Sequence, residues 1–173
     1  MAIKGLSYSK TSWAFEERPV ASSKLNLWDD RIEAALELIE FLLAQAWGGG
    51  SGVVRKATTD DLAVKATSPV SLTVQTRTGY AFINKFAFKL AAASTTGAIA
   101  VPATNPRKDL VQARLATWDI TVKTGTEAVS PVAPSPDTDC IGLAELYCKP
   151  GMTSIKDASD GANGYIIDVR KFL

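Results

Sequence analysis

The sequence predicts an α+β protein that is mainly β, with an N-terminal extended arm, a long helix and an antiparallel β-sandwich or barrel-like domain. Three observations predict this fold. Residues 24–47 contain neither Gly nor Pro and are rich in Leu, Ala and Glu, which favour helix. A glycine-rich run at residues 48–52 ends that segment. From residue 53 onward, short apolar runs alternate with turn residues, as they do in antiparallel sheets.

Composition restricts the class of protein. A chain of 173 residues accommodates one ordinary domain and an appendage, and its 46% hydrophobic and 21% charged residues are typical of a soluble globular protein. The formal net charge of +1 argues against a nucleic-acid-binding surface. No apolar run approaches the roughly 18 to 20 residues of a membrane span, so we expect no membrane insertion. The N-terminus lacks the apolar core of a signal peptide, which predicts function where the chain is made or in a particle assembled there.

Residues 1–23 are predicted to form an extended arm with isolated anchors. These anchors are Trp13, Phe15 and Pro19. Exposed aromatic side chains cost solubility, so we expect them to be covered. They either pack on the helix of the same chain or dock into a neighbouring subunit, and the sequence leaves both options open.

Residues 24–47 carry apolar side chains in steps of three and four over about three heptads. The set is Leu25, Trp28, Ile32, Ala35, Ile39, Leu42 and Ala46. One interpretation is the interface of a trimeric, coiled-coil-like bundle, and the other is a single helix buried against its own domain. The apolar arc is wider than a two-stranded seam requires, which suits a helix that meets its copies on one side and a β-domain on the other.

The run at residues 48–52, GGGSG, is predicted to be a flexible hinge between the helix and a β-domain at 53–173. A phosphate-binding loop is rejected because no Lys-Ser/Thr follows the glycines and no strand precedes them. Within the β-domain, residues 79–83 and 86–90 are predicted to form a hairpin about Asn84-Lys85, since Asn tolerates a positive φ.

The aromatic residues of the β-domain are expected mainly in the core of the sheets. The alternative is an exposed platform for host-surface sugars, with Tyr80, Trp118 and Tyr147 as the candidate contacts. Arg107, Asp109 and Arg114 flank one strand, where they would form ion pairs or hold the proline-rich connection at residues 130–139, or else line a ligand site. Carboxylates of the later loops are expected to be solvated, because their spacing does not match a calcium loop.

Catalytic chemistry is not indicated. Cys140 and Cys148 are eight residues apart on one predicted strand, where they would point the same way and remain free thiols. The chain contains no His, so a Cys-His nucleophile and the usual general base are missing. We therefore expect a protein that is not an enzyme and has no cofactor or metal.

Five sequence blocks carry a resemblance to a known family. They are WAFEERPVASSKLN (13–26), NPRKDLVQAR (105–114), GTEAVSPVAP (125–134), IGLAEL (141–146) and PGMTSI (150–155). Together they resemble the proximal region of bacteriophage tail-fibre and receptor-binding baseplate proteins. The hairpin at residues 79–90 also fits this family, although a Gly in place of Lys85 would be more usual.

The resemblance implies a homotrimeric virion structural protein in a phage tail or baseplate, with other tail proteins as partners and a host-surface glycan as a further candidate. Members often continue into a distal receptor-binding tip, whereas this sequence ends at Leu173. That difference favours an adaptor or short fibre in host attachment. The alternatives are a carbohydrate-binding module that recognises the host receptor and a head-fibre or capsid decoration protein.

Overall fold

The computed structural model describes residues 22–46, 50–55 and 60–173. The chain divides into two compact units, Met1–Gly49 and Gly50–Leu173. The predicted arm anchors Trp13, Phe15 and Pro19 lie outside the described residues. Within the helix, side chains are described for residues 25–36 and for Ile39, so those of Leu42 and Ala46 are outside as well.

The predicted fold class is wrong, because it was built on a long trimerising helix. The protein is mainly β, and its helix α1 (Ser22–Ala46) is described in full over only about 12 residues. The described residues contain no coiled coil. The physical reason for the error is that apolar residues in steps of three and four occur on every amphipathic helix, so this spacing does not by itself require a supercoil.

The β-rich unit contains eleven strands in the part of the chain that the structure describes. They are β1 (Gly52–Val54), β2 (Val64–Ala66), β3 (Val74–Thr76), β4 (Gly79–Ile83), β5 (Phe86–Leu90), β6 (Ser94–Thr95), β7 (Arg107–Arg114), β8 (Asp119–Lys123), β9 (Cys140–Cys148), β10 (Ile155–Lys156) and β11 (Gly164–Asp168). They form three sheets, with strand orders β1-β4-β5, β2-β3-β6 and β10-β11-β9-β7-β8. All pairings between these strands are antiparallel except that of β10 with β11.

A β-bulge divides β9 into two halves. Side chains alternate between the core and the surface in both halves, but in opposite phase. The register against β7 shifts between Val111 and Gln112, which leaves Leu143 as the extra residue. Because the bulge reverses the alternation, Cys148 is fully buried in the core while Cys140 at the other end is partly exposed. Both cysteines are free, as predicted, but the prediction that they point the same way is wrong.

The predicted hairpin is confirmed. β4 and β5 pair with Ile83 opposite Phe86, and the two turn residues both have positive φ, 51° at Asn84 and 75° at Lys85. Positive φ at both central residues is the geometry whose twist matches that of the flanking strands. The turn is fastened from two sides, since the Asn84 N–H donates to Ser51 Oγ at 2.9 Å and Asn84 Nδ2 donates to Asp139 Oδ1 at 2.6 Å.

One continuous core joins the strands of the three sheets. Its largest fully buried side chains include Leu62, Ile83, Phe88, Leu143, Leu146 and Ile155. The end of the chain closes one sheet edge, because the Val53 N–H donates to Lys171 O at 2.7 Å and the Leu173 N–H donates to Val53 O at 3.1 Å. Among the described residues, no helix has the length and hydropathy needed to cross a membrane.

Candidate functional site

The apolar face of α1 is the first candidate for an interaction surface. Along the helix, the side chains of Leu25, Trp28, Ile32, Leu36 and Ile39 are between 47% and 60% exposed. Ala35, on the same face, is partly buried. Steps of three and four residues place these side chains on one side of a helix, so they form a stripe and not scattered apolar positions. Five of the seven predicted interface residues lie on this stripe, and Leu36 is an additional member.

The three predicted glycan contacts lie on separate elements. Tyr80 is on β4, where Lys89 Nζ lies 5.7 Å from its ring centroid. Trp118 is in the turn between β7 and β8 and contacts Phe88, with ring centroids 6.4 Å apart. Tyr147 on β9 is stacked on Tyr165 of β11 at 5.1 Å. Each ring contacts a different neighbour, so the structure does not bring the three together as one platform.

A buried ion pair lies at the start of β7. Arg107 Nε donates to Asp109 Oδ1 at 2.7 Å and Arg107 Nη2 donates to Asp109 Oδ2 at 3.0 Å. The hydrogen bond that Arg107 donates to Asp109 raises the pKa of Arg107 above its ordinary value. Arg107 Nη2 also donates to Ala100 O at 2.8 Å, and the Gly125 N–H donates to Asp109 Oδ1 at 2.9 Å. The pair therefore fastens two loops to β7, which is the ion-pair role predicted for these residues and not a ligand site.

Gly125 lies too close to β7 to be replaced. A Cβ at this position would collide with the carbonyl oxygen of Lys108. The close approach allows the Gly125 N–H to reach the Asp109 carboxylate. The glycine thus permits the backbone contact that orients the buried ion pair.

The proline-rich connection before β9 is held by residues that the sequence analysis missed. Gln112 Nε2 and Lys123 Nζ both donate to the carboxylate of Asp137 at 2.6 Å. Gln112 Oε1 in turn accepts from the Asp137 N–H at 3.0 Å. The available signal was Gln112 itself, a polar residue among the apolar Leu110, Val111 and Ala113, which needs a partner where it is buried.

A second loop is organised by one carboxylate. The N–H groups of Ala103, Thr104 and Asn105 donate to Glu127, at 2.9 to 3.2 Å. These three backbone hydrogen bonds hold the pKa of Glu127 below its usual value. Such a set of backbone N–H groups is an anion-binding site, a backbone cradle, and here the anion is the carboxylate of the chain's own Glu127.

The loop carboxylates predicted to be solvated have partners within the protein. Asp160 and Asp168 form ion pairs with Lys156 at 2.7 Å and with Arg170 at 2.6 Å. Asp157 accepts from the Ala66 N–H at 2.8 Å, and Asp139 from Asn84. The described residues contain no group of three or more His, Cys, Asp or Glu that could hold a metal ion. The loop carboxylates therefore hold their loops in place through these ion pairs and hydrogen bonds.

Both thiols are held in the protonated form. Burial raises the pKa of the Cys148 thiol to about 12, and the charge of Asp109 acts in the same direction. Burial followed by the charge of Asp137 raises the pKa of Cys140 as well. Since the thiolate is the nucleophile and the metal ligand, neither cysteine is activated for such chemistry at neutral pH.

The hydrogen-bonded carboxylates of Glu127 and Asp137 allow a prediction of how the stability of the protein depends on pH. The pKa of Glu127 is lowered by backbone N–H groups, and that of Asp137 is lowered by Lys123 and then Gln112. A carboxylate with a depressed pKa binds fewer protons in the native than in the unfolded state. Its stabilising contribution is therefore complete above the unfolded pKa and lost as pH falls through the folded value. We expect the free energy of unfolding, measured by urea denaturation, to decline below about pH 4.5.

Glu127→Gln is the matched variant for this titration. It retains an oxygen acceptor for the loop and removes the titrating group, so its stability should fall less steeply with acid than that of the wild type. Equal slopes for the two proteins below about pH 4.5 would contradict the assignment.

An open groove of about 390 Å³ lies between β9 and the proline-rich connection. Pro134, Pro136, Ile141 and Lys171 are among its lining residues, with Glu145, which forms an ion pair with Lys108 at 2.8 Å. The groove is open to solvent, unlike the enclosed clefts that bind small molecules.

Among the described residues, exposed apolar side chains occur on α1 and around the β4–β5 hairpin, where Phe86 is 62% exposed, and also at Val129 and Val132. Neither α1 nor the surface around the hairpin has the polar groups of a catalytic centre. Comparison of the chain with protein-family models, curated proteins and solved structures finds no match.

Proposed function

We propose that this chain is a non-enzymatic structural protein of a phage virion, an adaptor or short fibre of the tail or baseplate that acts in host attachment. In this proposal it associates with copies of itself, as a homotrimer, and with neighbouring tail proteins. The observation that carries the proposal is the exposed apolar stripe of α1. The location in a virion and the number of copies rest on the resemblance of the five sequence blocks.

Burial of the stripe supplies a driving force for association. Complete burial of one Leu or Ile side chain contributes about 1.5–3 kcal/mol. Leu25, Ile32, Leu36 and Ile39 are about half exposed, so together they contribute roughly 3–6 kcal/mol per chain, which is comparable with the lower estimates of about 4 kcal/mol for the entropic cost of association. A second copy is the natural partner because it presents the same stripe with the same spacing, and helices pack through such rows of side chains. This proposal concerns association through the stripe and includes no coiled coil.

The β-rich unit supports a mechanical role. Its loops are fastened to strands by the Arg107–Asp109 pair, by the contacts of Asp137 and by the cradle around Glu127. A body with braced loops transmits force between neighbours without large rearrangement. An enzyme, in contrast, commonly needs loops that open and close around its substrate.

Ile32→Asp combined with Ile39→Asp tests the proposal. Carboxylates within a packed apolar contact are not hydrated cheaply, so the double variant should not associate through α1. Light scattering of the full chain should give the mass of a trimer, or of trimers joined through other contacts, for the wild type and a mass below that of a trimer for the variant. The β-type circular dichroism signal should be unchanged, because the substitutions lie in the other compact unit.

The matched control is Asn26→Asp combined with Ala34→Asp. It adds the same number of carboxylates to α1 at exposed positions away from the stripe. The control should keep the mass of the wild type. A monomeric wild type would contradict self-association, and equal loss of mass in both double variants would show that helix charge, and not the stripe, is responsible.

A further inference from the structure

The sheet β1-β4-β5 has one closed edge and one open edge. At β1, the backbone of Val53 exchanges hydrogen bonds with Lys171 and Leu173, so the C-terminal segment covers that edge. At β5, neither Ala87 nor Lys89 has a backbone or side-chain hydrogen bond to another element among the described residues. An edge strand with unpaired backbone groups is a template for pairing with another strand.

The hairpin turn determines which groups of β5 face outward. In a two-residue hairpin the residues that flank the turn form a hydrogen-bonded pair, here Ile83 with Phe86, and such pairs alternate along the strands. Phe86, Phe88 and Leu90 therefore bond to β4. The N–H and C=O groups of Ala87 and Lys89 point away from the sheet, and these four groups form the open edge.

The side chains at this edge are also uncovered. Phe86 is 62% exposed, and Ala87 and Lys89 are exposed as well. The ring of Trp118, itself 54% exposed, lies beside Phe88 on the face of β5 that carries Phe86. The open backbone thus coincides with exposed aromatic surface, which marks an interaction site more strongly than either feature does alone.

We propose that β5 pairs antiparallel with β5 of a second copy of this chain, about a two-fold axis at Phe88. In this register Ala87 lies opposite Lys89 of the second copy, and the reciprocal contact is identical. All four outward backbone groups of each strand are then paired. On the other face, Phe86 lies opposite Leu90 of the second copy, and because Leu90 is itself only 7% exposed, the approaching strand as a whole covers the ring. The contact is isologous, so it closes as a dimer contact.

Charge selects this register over its neighbours. A two-fold axis at Lys89 would place Lys89 opposite its own copy. An axis at Ala87 would place Lys89 opposite Lys85 of the second copy. Like charges in directly opposed positions destabilise strand pairing, whereas a small residue opposite a long cationic one does not. Of these three registers, the axis at Phe88 is the one in which both lysines avoid another lysine.

The test uses the full chain carrying Ile32→Asp and Ile39→Asp, so that association through α1 does not obscure association through β5. Sedimentation over a range of concentrations should show a monomer–dimer equilibrium. Hydrogen exchange at the amides of Ala87 and Lys89 should slow as protein concentration rises, because those two N–H groups become bonded only in the dimer. Masses and exchange rates independent of concentration would overturn the proposal.

Paired substitutions at residue 87 test the register. Ala87→Lys should weaken dimerisation about tenfold, because it places a lysine opposite Lys89 of the second copy at both symmetric contacts, whereas Ala87→Glu should strengthen it. Both side chains are solvated in the monomer, so neither threatens the fold. Equal dimerisation by the two variants would overturn the register.

Ala87→Pro tests the use of the backbone. It removes an outward N–H that the hairpin does not use and should abolish concentration-dependent protection at Lys89. Val132→Pro, at an exposed position in the proline-rich connection, is its control and should dimerise normally. Failure at β5 is distinguishable from failure of the proposed function, since the latter is measured on a chain with unchanged β5 and altered α1.

Discussion

Asp109→Ala should lower the free energy of unfolding by about 3–5 kcal/mol. Arg107 is only 7% exposed, so removal of its partner leaves a cation that is neither paired nor fully hydrated. The Gly125 N–H loses its acceptor in the same step. The loop at Gly125 is released, and the loop at Ala100 is held only by an Arg107 side chain that has lost its partner, which makes the loss larger than that of an isolated ion pair.

The control is Asp119→Ala at the other end of β7. Asp119 forms an ion pair with Arg114 at 2.6 Å, but both side chains are 42% exposed. Exposed pairs of this kind contribute at most about 1 kcal/mol. Urea denaturation of both variants at neutral pH measures the contrast, and equal losses at the two sites would show that burial does not set the strength of the Arg107–Asp109 pair.

Local chemistry made part of the fold predictable from sequence. The β4–β5 hairpin follows from alternating aromatic strands on either side of Asn84, a residue that adopts positive φ without great strain. The absence of a disulfide follows from the separation of Cys140 and Cys148 along one strand. In both cases the deciding interaction is between residues close in sequence.

The remaining features depend on partners that are distant in sequence. The bulge at Leu143 in β9 exists only relative to the register of β7, and it reverses the predicted orientation of the two cysteines. Asp137 can accept the hydrogen bond from Gln112 only after β7 and β9 have paired. The error in the helix has a similar origin, because the apolar spacing of residues 24–47 specifies a face and not what covers it.

Candidate sites were still harder to predict. Tyr80, Trp118 and Tyr147 were grouped as aromatic residues of the β-domain, but their separation is fixed by strand order, which the sequence does not reveal. The open edge of β5 was missed for the same reason. A strand becomes an edge only when the sheet is complete, and FAFKL reads equally well as a central strand.

Phe88→Ala should lower the free energy of unfolding by about 3–5 kcal/mol. Phe88 is fully buried among core side chains and contacts Trp118, so its truncation removes apolar contacts and leaves a cavity. Phe86→Ala, two residues earlier on the same strand, should change the stability of the monomer by no more than about 0.5 kcal/mol. Urea denaturation of both variants, in the chain with Ile32→Asp and Ile39→Asp, compares the same substitution at a buried and an exposed position.

In association, Phe86 should contribute more than Phe88, which is the reverse of their contributions to the stability of the monomer. Phe86→Ala is expected to weaken dimerisation through β5, because its ring is 62% exposed in the monomer and is covered only when a second copy lies beside it. A loss of monomer stability at Phe86 as large as that at Phe88 would mean that this ring already belongs to the core. An aromatic side chain that contributes little to the folded monomer and much to the dimer is instead what a contact surface requires.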